Sequence, residues 1–202
     1  AVSRGLQNMG VETIDIGLCG TEEIYHATFS LENEGVDGGV IVTASHNPAD
    51  YNGMKFVTKG ARPVTGASGL LKMAKMVGGE VALPPIVGGG SFSSRNLRDD
   101  YIRHLLGYID LKRLRPLKIV ANCGNGCAGL VLEKLSSLLP FNVITLHGRP
   151  DGTFPHGVPN PLLPENRQET GEAVKKHSAD FGIGWDGDFD RCFFWDETGG
   201  II

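Results

Sequence analysis

The sequence predicts an α/β protein of two consecutive domains with mainly parallel sheets covered by helices. Short apolar runs alternate with helix-like segments along the 202 residues, which is typical of parallel sheets with helices on their faces. A segment rich in Gly, Pro and Ser, Gly78–Ser94, interrupts the alternation, which restarts beyond it. We therefore expect one domain over residues 1–94 and a second domain over residues 95–202.

In the first half, local patterns predict each element in turn. Thr21 is a candidate N-cap for a helix whose first turn carries Glu22 and Glu23, which suit the positive end of its dipole. The apolar run Gly38–Thr43 lies between glycines and predicts a strand buried on both faces. The other elements predicted here are a helix at Ala1–Met9, a strand at Val11–Ile16, a strand at Met54–Val57 after the Asn52-Gly53 turn, and a helix at Ser68–Met76.

In the second half, helical and strand-like segments alternate around one long loop. Five prolines between Pro150 and Pro164 indicate that this loop has a fixed shape. The predicted helices are Asn96–Ile109, Cys127–Leu138 and Glu165–His177, and the predicted strands are Leu117–Asn122, Phe141–Leu146, Asp180–Trp185 and Cys192–Trp195. This order again indicates parallel strands joined by helical crossovers.

Composition and charge narrow the class of protein. Apolar residues make up 41% and charged residues 21%, which is ordinary for a globular protein. The net charge of -4 argues against nucleic acid or an anionic membrane as the main partner, and no apolar run is long enough to span a bilayer. The cysteines lack the spacing of a zinc site, so we expect reduced thiols in a cytoplasmic protein.

Both ends of the sequence look internal to a longer protein. Ala1–Leu6 reads as the middle of a helix, and Gly199–Ile202 stops within what looks like a hairpin. We therefore expect a fragment of a longer chain. The sequence leaves the oligomeric state open.

The first candidate site lies just after the predicted strand Gly38–Thr43. Ser45, His46 and Asn47 follow it directly, at the strand end where α/β proteins bind their ligands. Amides of such a turn can neutralise an anion on the serine oxygen. Ser-His-Asn-Pro is equally a good turn sequence, because Ser and Asn bond the local backbone and Pro fixes φ. The spacing alone leaves both interpretations open.

The second candidate site is the acidic segment Asp186-Gly187-Asp188-Phe189-Asp190-Arg191. If the segment is extended, alternate side chains share a face and the three carboxylates converge. Such carboxylates repel one another unless a cation is present, and oxygen ligands suit Mg²⁺. Arg191 could hold a phosphate bidentately or pair with one of the aspartates.

Two other interpretations of this acidic segment remain. Asp186, Asp188, Asp190 and Glu197 occupy positions one, three, five and twelve of a calcium-binding EF-hand loop. However, Arg191 stands where that loop needs Gly, and strands rather than helices flank the segment. The other interpretation is a solvated acidic turn.

A third stretch, Gly124–Gly129, matches the dinucleotide fingerprint G-x-G-x-x-G between a strand and a helix. Asp151 lies at about the expected distance beyond it, but in a loop rather than at a strand end. One alternative function is therefore a nicotinamide-dependent oxidoreductase. The simpler interpretation is a tight strand-to-helix turn that needs small residues.

Taken together, these motifs resemble the α-D-phosphohexomutases, closest to the bacterial phosphomannomutase branch that feeds GDP-mannose synthesis. The resemblance is carried by Thr43–Pro48, Tyr51–Lys55, Asp151–Pro155, Pro161–Asn166 and Asp186–Arg191, in that order. It covers nearly the whole chain. Phe189 departs from many members, which have Gly there, but it lies between two aspartates and fits the phosphomannomutase-like branch.

The resemblance implies that hexose 6-phosphate and hexose 1-phosphate interconvert through a phosphoserine and a hexose 1,6-bisphosphate. Ser45 would carry the phosphoryl group, with His46 and Asn47 shaping its surroundings. Lys55 would assist proton transfer or contact the sugar phosphate, unless it is a solvated strand lysine. The implied Mg²⁺ ligands are Asp186, Asp188, Asp190 and an oxygen of the serine phosphate, with Arg191 positioning phosphate.

The resemblance also sets limits. The family enzyme has four domains, and this sequence would hold most of the first and all of the second. The sugar-reading and distal phosphate-binding parts have no counterpart here, so mannose and glucose specificity stay undetermined. We expect this chain alone to lack useful mutase activity.

Overall fold

The computed structural model describes residues 1–202 and contains six α-helices and nine strands. The helices are α1 Val2–Asn8, α2 Thr21–Ser30, α3 Leu71–Val77, α4 Arg98–Leu106, α5 Ala128–Leu135 and α6 Gln168–His177. The strands are β1 Thr13–Asp15, β2 Gly38–Val42, β3 Met54–Thr58, β4 Arg62–Pro63, β5 Phe92–Ser94, β6 Lys118–Asn122, β7 Asn142–Leu146, β8 Phe181–Trp185 and β9 Cys192–Trp195. None of the helices combines the length and the hydrophobicity that crossing a membrane requires.

The second half confirms the predicted α/β arrangement. Its four strands lie in the order β7-β6-β8-β9, and β6 pairs in parallel with both β7 and β8. The last pair, β8 and β9, is antiparallel, so the chain between them makes a hairpin. Helix α6 covers this sheet, because its Val174 is fully buried in one cluster with Val120 of β6 and Trp195 of β9. Parallel strands need such crossover helices to connect them.

The first half is mixed rather than mainly parallel. Strands β1 and β5 form a parallel pair, whereas β2, β3 and β4 form an antiparallel sheet in that order. The prediction that β2 is a parallel strand buried on both faces was therefore wrong. Strand β2 is an edge strand paired only with β3, and Val42 at its end is 55% exposed. Helix α2 packs closely on one face of this antiparallel sheet. A Cβ added to Gly39 of β2 would overlap the Thr28 and Ile24 side chains of α2.

The predicted linker Gly78–Ser94 is only partly a linker. Its last residues form β5, which pairs with β1 in the register Thr13↔Phe92 to Asp15↔Ser94. The backbone N–H groups of Val87 and Gly88 both donate to the carbonyl oxygen of Asn8, at the end of α1. Glycines mark loops in a sequence, but they do not reveal that such a loop returns to pair with an earlier strand.

Helix α4 joins the two halves. Leu97, the residue before α4, is buried against Ala27 in α2 and Leu31 at the C-terminal end of α2. On the other side, Tyr101 and Ile102 of α4 pack on Val131 of α5. An ion pair supports the contact with α2, because Arg98 Nε lies 3.0 Å from Glu23 Oε1 and Glu23 is 5% exposed. The elements that carry the candidate site are thus held against one another by a buried apolar seam.

Candidate functional site

Ser45 lies in the turn that follows β2. Its φ of 56° is in the left-handed region, which is unusual for a residue other than Gly, Asn or Asp. Its N–H donates to Thr43 Oγ1 at 2.9 Å, and the N–H of the exposed Asn47 donates to the Ala44 carbonyl at 3.0 Å. The segment is therefore a well-formed turn, as its composition predicts, and the conformation of Ser45 is stored strain of the kind found at functional sites.

The Ser45 hydroxyl contacts the acidic segment 141 residues further along the chain. It donates to Asp186 Oδ2 at 2.7 Å and accepts from Arg191 Nη2 at 2.7 Å. His46 Nδ1 lies 3.2 Å from the same oxygen and also contacts the Arg191 guanidinium. Four of the predicted site residues thus meet at one serine oxygen, which a surface turn would not require.

The three aspartates converge through a tight turn and not, as we predicted, because the segment is extended. One oxygen from each of Asp186, Asp188 and Asp190 lies within 4.8 Å of the other two. Phe189 has a φ of 48° and donates its N–H to the Asp186 carbonyl at 3.1 Å, which folds the chain back between β8 and β9. Glycine adopts a positive φ of this kind without strain, whereas Phe189 does so at a cost.

Two cations lie against the aspartates. Lys55 Nζ is 2.8 Å from Asp188 Oδ2 and 2.6 Å from Asp190 Oδ2. Arg191 lies 2.5 Å from Asp186 and 3.5 Å from Asp190. Lys55 is therefore not a solvated strand lysine, and Arg191 pairs with aspartates while also touching Ser45. Three negative and two positive charges thus share this site, and loss of either cation would leave carboxylates uncompensated.

Burial and neighbouring charges act in opposite directions on these groups. Burial raises the pKa of Asp186, which the hydrogen bond from Ser45 and the charge of Arg191 only partly offset. Burial also disfavours ionised Asp188, but the hydrogen bond and charge of Lys55 and the hydrogen bonds of Thr21 and Thr43 together outweigh it and lower the pKa of this carboxyl. Lys55 loses hydration as well, and the hydrogen bonds and charges of Asp188 and Asp190 raise its pKa despite that loss.

The aspartates fit a hard divalent cation. Asp188 is only 3% exposed, and its Oδ1 is buried without any hydrogen-bond partner. An orphaned buried carboxylate oxygen is costly, and a bound cation would satisfy it. A cluster of carboxylate oxygens suits Mg²⁺ by ligand type. Glu197, which an EF-hand would need as its twelfth ligand, is exposed and outside the cluster, and the flanking elements are the strands β8 and β9.

Thr21 and Thr43 are site residues that the sequence analysis missed. Thr21 does not cap α2, because the N-cap residue is Gly20. The N–H of Gly20 donates to Glu23 Oε2 at 3.0 Å. Instead the Thr21 hydroxyl donates to Asp188 Oδ2 at 2.9 Å, and so does the Thr43 hydroxyl at 2.9 Å. No local signal could identify these contacts, because the partner is more than a hundred residues away in the chain.

The glycines of Gly124–Gly129 serve packing. A Cβ on Gly126 would lie 2.5 Å from the Gly187 carbonyl oxygen, and one on Gly129 would overlap the backbone of Gly148. The N–H of Cys127 already donates to the Gly187 carbonyl at 2.9 Å. The chain's own backbone thus occupies the close approaches that a dinucleotide pyrophosphate would need. This arrangement favours the simpler interpretation, a tight strand-to-helix turn.

A cleft of about 320 Å³ opens beside Ser45. The Ser45 turn, with Asn47 and Tyr51, forms one wall; the 125–127 turn and the 150–154 loop form the other. None of the 18 residues that line it is Lys or Arg. The cleft is large enough for a small polar molecule but offers no basic side chain to an anionic one.

Comparison with known proteins gives two family models that together cover most of the chain. The model for phosphoglucomutase/phosphomannomutase α/β/α domain I matches residues 1–69, and the model for α/β/α domain II matches residues 99–199. The chain is 53% identical over 210 aligned positions to a phosphomannomutase of Salmonella typhimurium, covering 100% of this chain and 45% of the relative. Proteins of Xanthomonas campestris pv. campestris described as phosphohexose mutases reach 52% identity, with 100% and 44% covered.

A solved structure agrees with these matches. The crystal structure of a phosphoglucomutase/phosphomannomutase family protein from Burkholderia thailandensis superposes with a TM-score of 0.84 at 35% identity, over 100% of this chain and 43% of that one. The chain therefore spans less than half the length of the relatives it matches. With its aspartate turn, its serine turn and its two matching domains, the chain belongs to the phosphoglucomutase/phosphomannomutase family.

Proposed function

We propose that the protein is a hexose-phosphate mutase, acting as a phosphomannomutase or phosphoglucomutase, in which Ser45 carries the phosphoryl group. The observation that carries the proposal is the position of Ser45 Oγ, 2.7 Å from both Asp186 Oδ2 and Arg191 Nη2. Phosphoryl transfer depends mainly on positioning and charge neutralisation, and this oxygen has both. The names of the relatives, phosphomannomutase and phosphohexose mutases, support hexose phosphate as the substrate class.

In this proposal Asp186, Asp188 and Asp190 hold Mg²⁺ together with an oxygen of the serine phosphate. The bound ion would offset negative charge as the phosphoryl group moves. Arg191 already reaches Ser45 Oγ and would hold a phosphate oxygen there, and His46 contacts the same guanidinium nitrogen. Asn47 lines the cleft and would contact the entering sugar phosphate.

The reaction consists of two phosphoryl transfers, each of which moves a different phosphoryl group. The Ser45 O–P bond breaks while a bond from phosphorus to a hexose hydroxyl oxygen forms, and the hydroxyl proton leaves to a base. The product is a hexose 1,6-bisphosphate, whose other phosphate then returns to Ser45. Lys55 is the candidate to assist proton transfer as a donor or to contact the sugar phosphate, because its raised pKa keeps the ammonium charged beside Asp188 and Asp190. We also propose that residues 1–94 and residues 95–202 fold as separate domains. The proposed location of the protein is the cytoplasm.

Replacement of Ser45 tests the proposal. In the full-length protein, Ser45→Ala should lower mutase turnover by about a thousandfold or more, because a methyl group fills the turn but cannot carry phosphate. The matched control is Ser94→Ala on β5, where the serine is exposed and distant in sequence from the site. Intact mass and peptide mapping should find phosphate on Ser45 and not on Ser94.

Two results would count against the proposal. Near-normal turnover of a folded Ser45→Ala protein would make Ser45 only a turn residue. A phosphorylated protein whose modification maps elsewhere would move the donor away from this site.

A further inference from the structure

We propose that Thr21 and Thr43 are positioning residues that turn one oxygen of Asp188 toward the metal and tie the Ser45 turn to the same ligand. The inference rests on the Mg²⁺ site of the proposed function and concerns how the chain builds it. Neither threonine would touch the ion. Both come from the first half of the chain, whereas Asp188 belongs to the second.

The hydrogen bonds of Asp188 are divided unequally between its two oxygens. Oδ2 accepts from the Thr21 hydroxyl at 2.9 Å, the Thr43 hydroxyl at 2.9 Å and Lys55 Nζ at 2.8 Å. Oδ1 accepts nothing and is buried. With three donors on one side, rotation of the carboxylate is blocked, so the lone pairs of Oδ1 remain available to a cation. Partners of this kind set ligand orientation at metal sites and affect affinity strongly.

Thr43 connects the metal ligand to the serine. Its hydroxyl has one proton, which goes to Asp188, and its oxygen accepts the Ser45 N–H at 2.9 Å. The backbone of Ser45 and the carboxylate of Asp188 are therefore joined through one side-chain atom. A shift of Asp188 when a cation binds would be felt at the Ser45 turn.

Thr21 holds Asp188 by backbone and side chain together. Its N–H donates to the Asp188 carbonyl at 3.0 Å while its hydroxyl donates to Oδ2, and it is 1% exposed. The same hydroxyl accepts from Lys55 Nζ at 3.2 Å, so Thr21 also contacts the lysine that binds Asp188. Thr21 is the first residue of α2, so the whole helix is fixed against the aspartate turn.

Mg²⁺ titration by calorimetry tests the inference in the full chain. Thr21→Val and Thr43→Val keep the side-chain shape but lose the hydroxyl, and each should weaken Mg²⁺ binding about tenfold. Thr21→Ser and Thr43→Ser restore the hydroxyl and should bind nearly as wild type does. The matched control is Thr28→Val. Thr28 is a buried threonine of α2 whose hydroxyl donates to the Ile24 carbonyl and not to an aspartate, so its replacement should leave the affinity unchanged.

Hydrogen exchange on the unmodified chain tests the link to Ser45 without any variant. Saturating Mg²⁺ should slow exchange of the Ser45 amide, because its acceptor Thr43 is held by the ligated carboxylate. Wild-type Mg²⁺ affinity in folded valine variants would overturn the inference while leaving the proposed function intact. Should the valine variants not fold, an unchanged Ser45 amide would overturn it. Absence of Mg²⁺ binding to the unmodified chain would overturn both.

Discussion

Phe189 holds the aspartate turn in place although it supplies no ligand. It stands between Asp188 and Asp190 with a φ of 48°. Its ring packs on the cluster formed by Tyr101, Ile102 and Val131 and covers Gly20, where a Cβ would overlap the ring. The backbone strain of a left-handed Phe is thus offset by apolar contacts with α4 and α5.

Replacement of Gly20 should reveal this contact. We expect Gly20→Ala to lower the free energy of unfolding by about 1–3 kcal/mol, because the added methyl group forces the Phe189 ring out of its position. The φ of Gly20 is -95°, so the substitution brings no backbone strain of its own. Urea unfolding measures the change.

The double-mutant cycle supplies the control. In a Phe189→Gly background the ring is absent, and Gly20→Ala should cost much less than in the wild type. Equal costs in the two backgrounds would show that the ring is not what Gly20 accommodates.

At the scale of single residues, the sequence predicted positions better than contacts. The order of Ser45, Lys55 and the aspartates can be read from the motifs. In the structure Ser45 hydrogen-bonds Asp186, and Lys55 hydrogen-bonds Asp188 and Asp190. The interpretation of Thr21 was wrong, because helix-capping rules consider only the nearest residues. Its actual partner, Asp188, lies 167 residues away.

At the scale of elements, the two turns that flank the site are built on close backbone contacts. Gly126 packs on Gly187, and Gly129 in α5 packs on the backbone of Gly148 after β7. Gly187 in turn approaches the Ser45 carbonyl. The Gly124–Gly129 turn therefore packs against the aspartate turn, and the aspartate turn packs against the serine turn. The fingerprint G-x-G-x-x-G describes the tightness of this turn and not a ligand.

Gly129→Ala should destabilise the protein by several kcal/mol, because its methyl group would displace the Gly148 backbone and no flexible side chain can yield. The matched control is Gly5→Ala in α1, an exposed position where no atom lies within 4 Å of the added Cβ. That change should stabilise the helix by about 0.5–1 kcal/mol, since Ala is the better helix former. Thermal and urea unfolding measure both changes.

A dinucleotide site at Gly124–Gly129 would give a different result. Calorimetric binding of NAD, abolished by Gly129→Ala in a protein that remains folded, would contradict the packing account and restore the oxidoreductase alternative.

Helices and strands could be predicted where the hydrophobic pattern lies within the element itself. The pairing of the strands could not be predicted in this way. Strand β2 shows the difference, because the apolar run Gly38–Thr43 was recognised but its environment was mistaken. An apolar run is compatible with both a central parallel strand and an edge strand under a helix. Pairing with β3 rather than with a parallel neighbour decided the outcome. Strand β5 was missed for the same reason, since only its pairing with β1 defines it.

At the scale of the whole molecule, the site forms where the two halves meet. The serine turn, Lys55 and Thr21 belong to the first half, and the aspartate turn belongs to the second. Both cations near Ser45 are already paired with aspartates, and the cleft beside it has no Lys or Arg in its lining. A sugar phosphate would bring a further dianion into this region. No Lys or Arg among the residues that line the cleft is there to hold it.

The 202-residue chain, tested alone, should therefore fold and bind Mg²⁺ but show no useful mutase turnover. Catalysis that depends on positioning fails when the substrate is not held in a reactive pose, and the loss can reach about 7–11 kcal/mol. A phosphate placed on Ser45 should leave slowly to water, because the open cleft does not exclude it. A coupled assay with mannose 1-phosphate and a trace of hexose 1,6-bisphosphate measures turnover, with the full-length protein as the reference. Turnover close to that of the reference would mean that the cleft binds the sugar phosphate productively without any Lys or Arg in its lining.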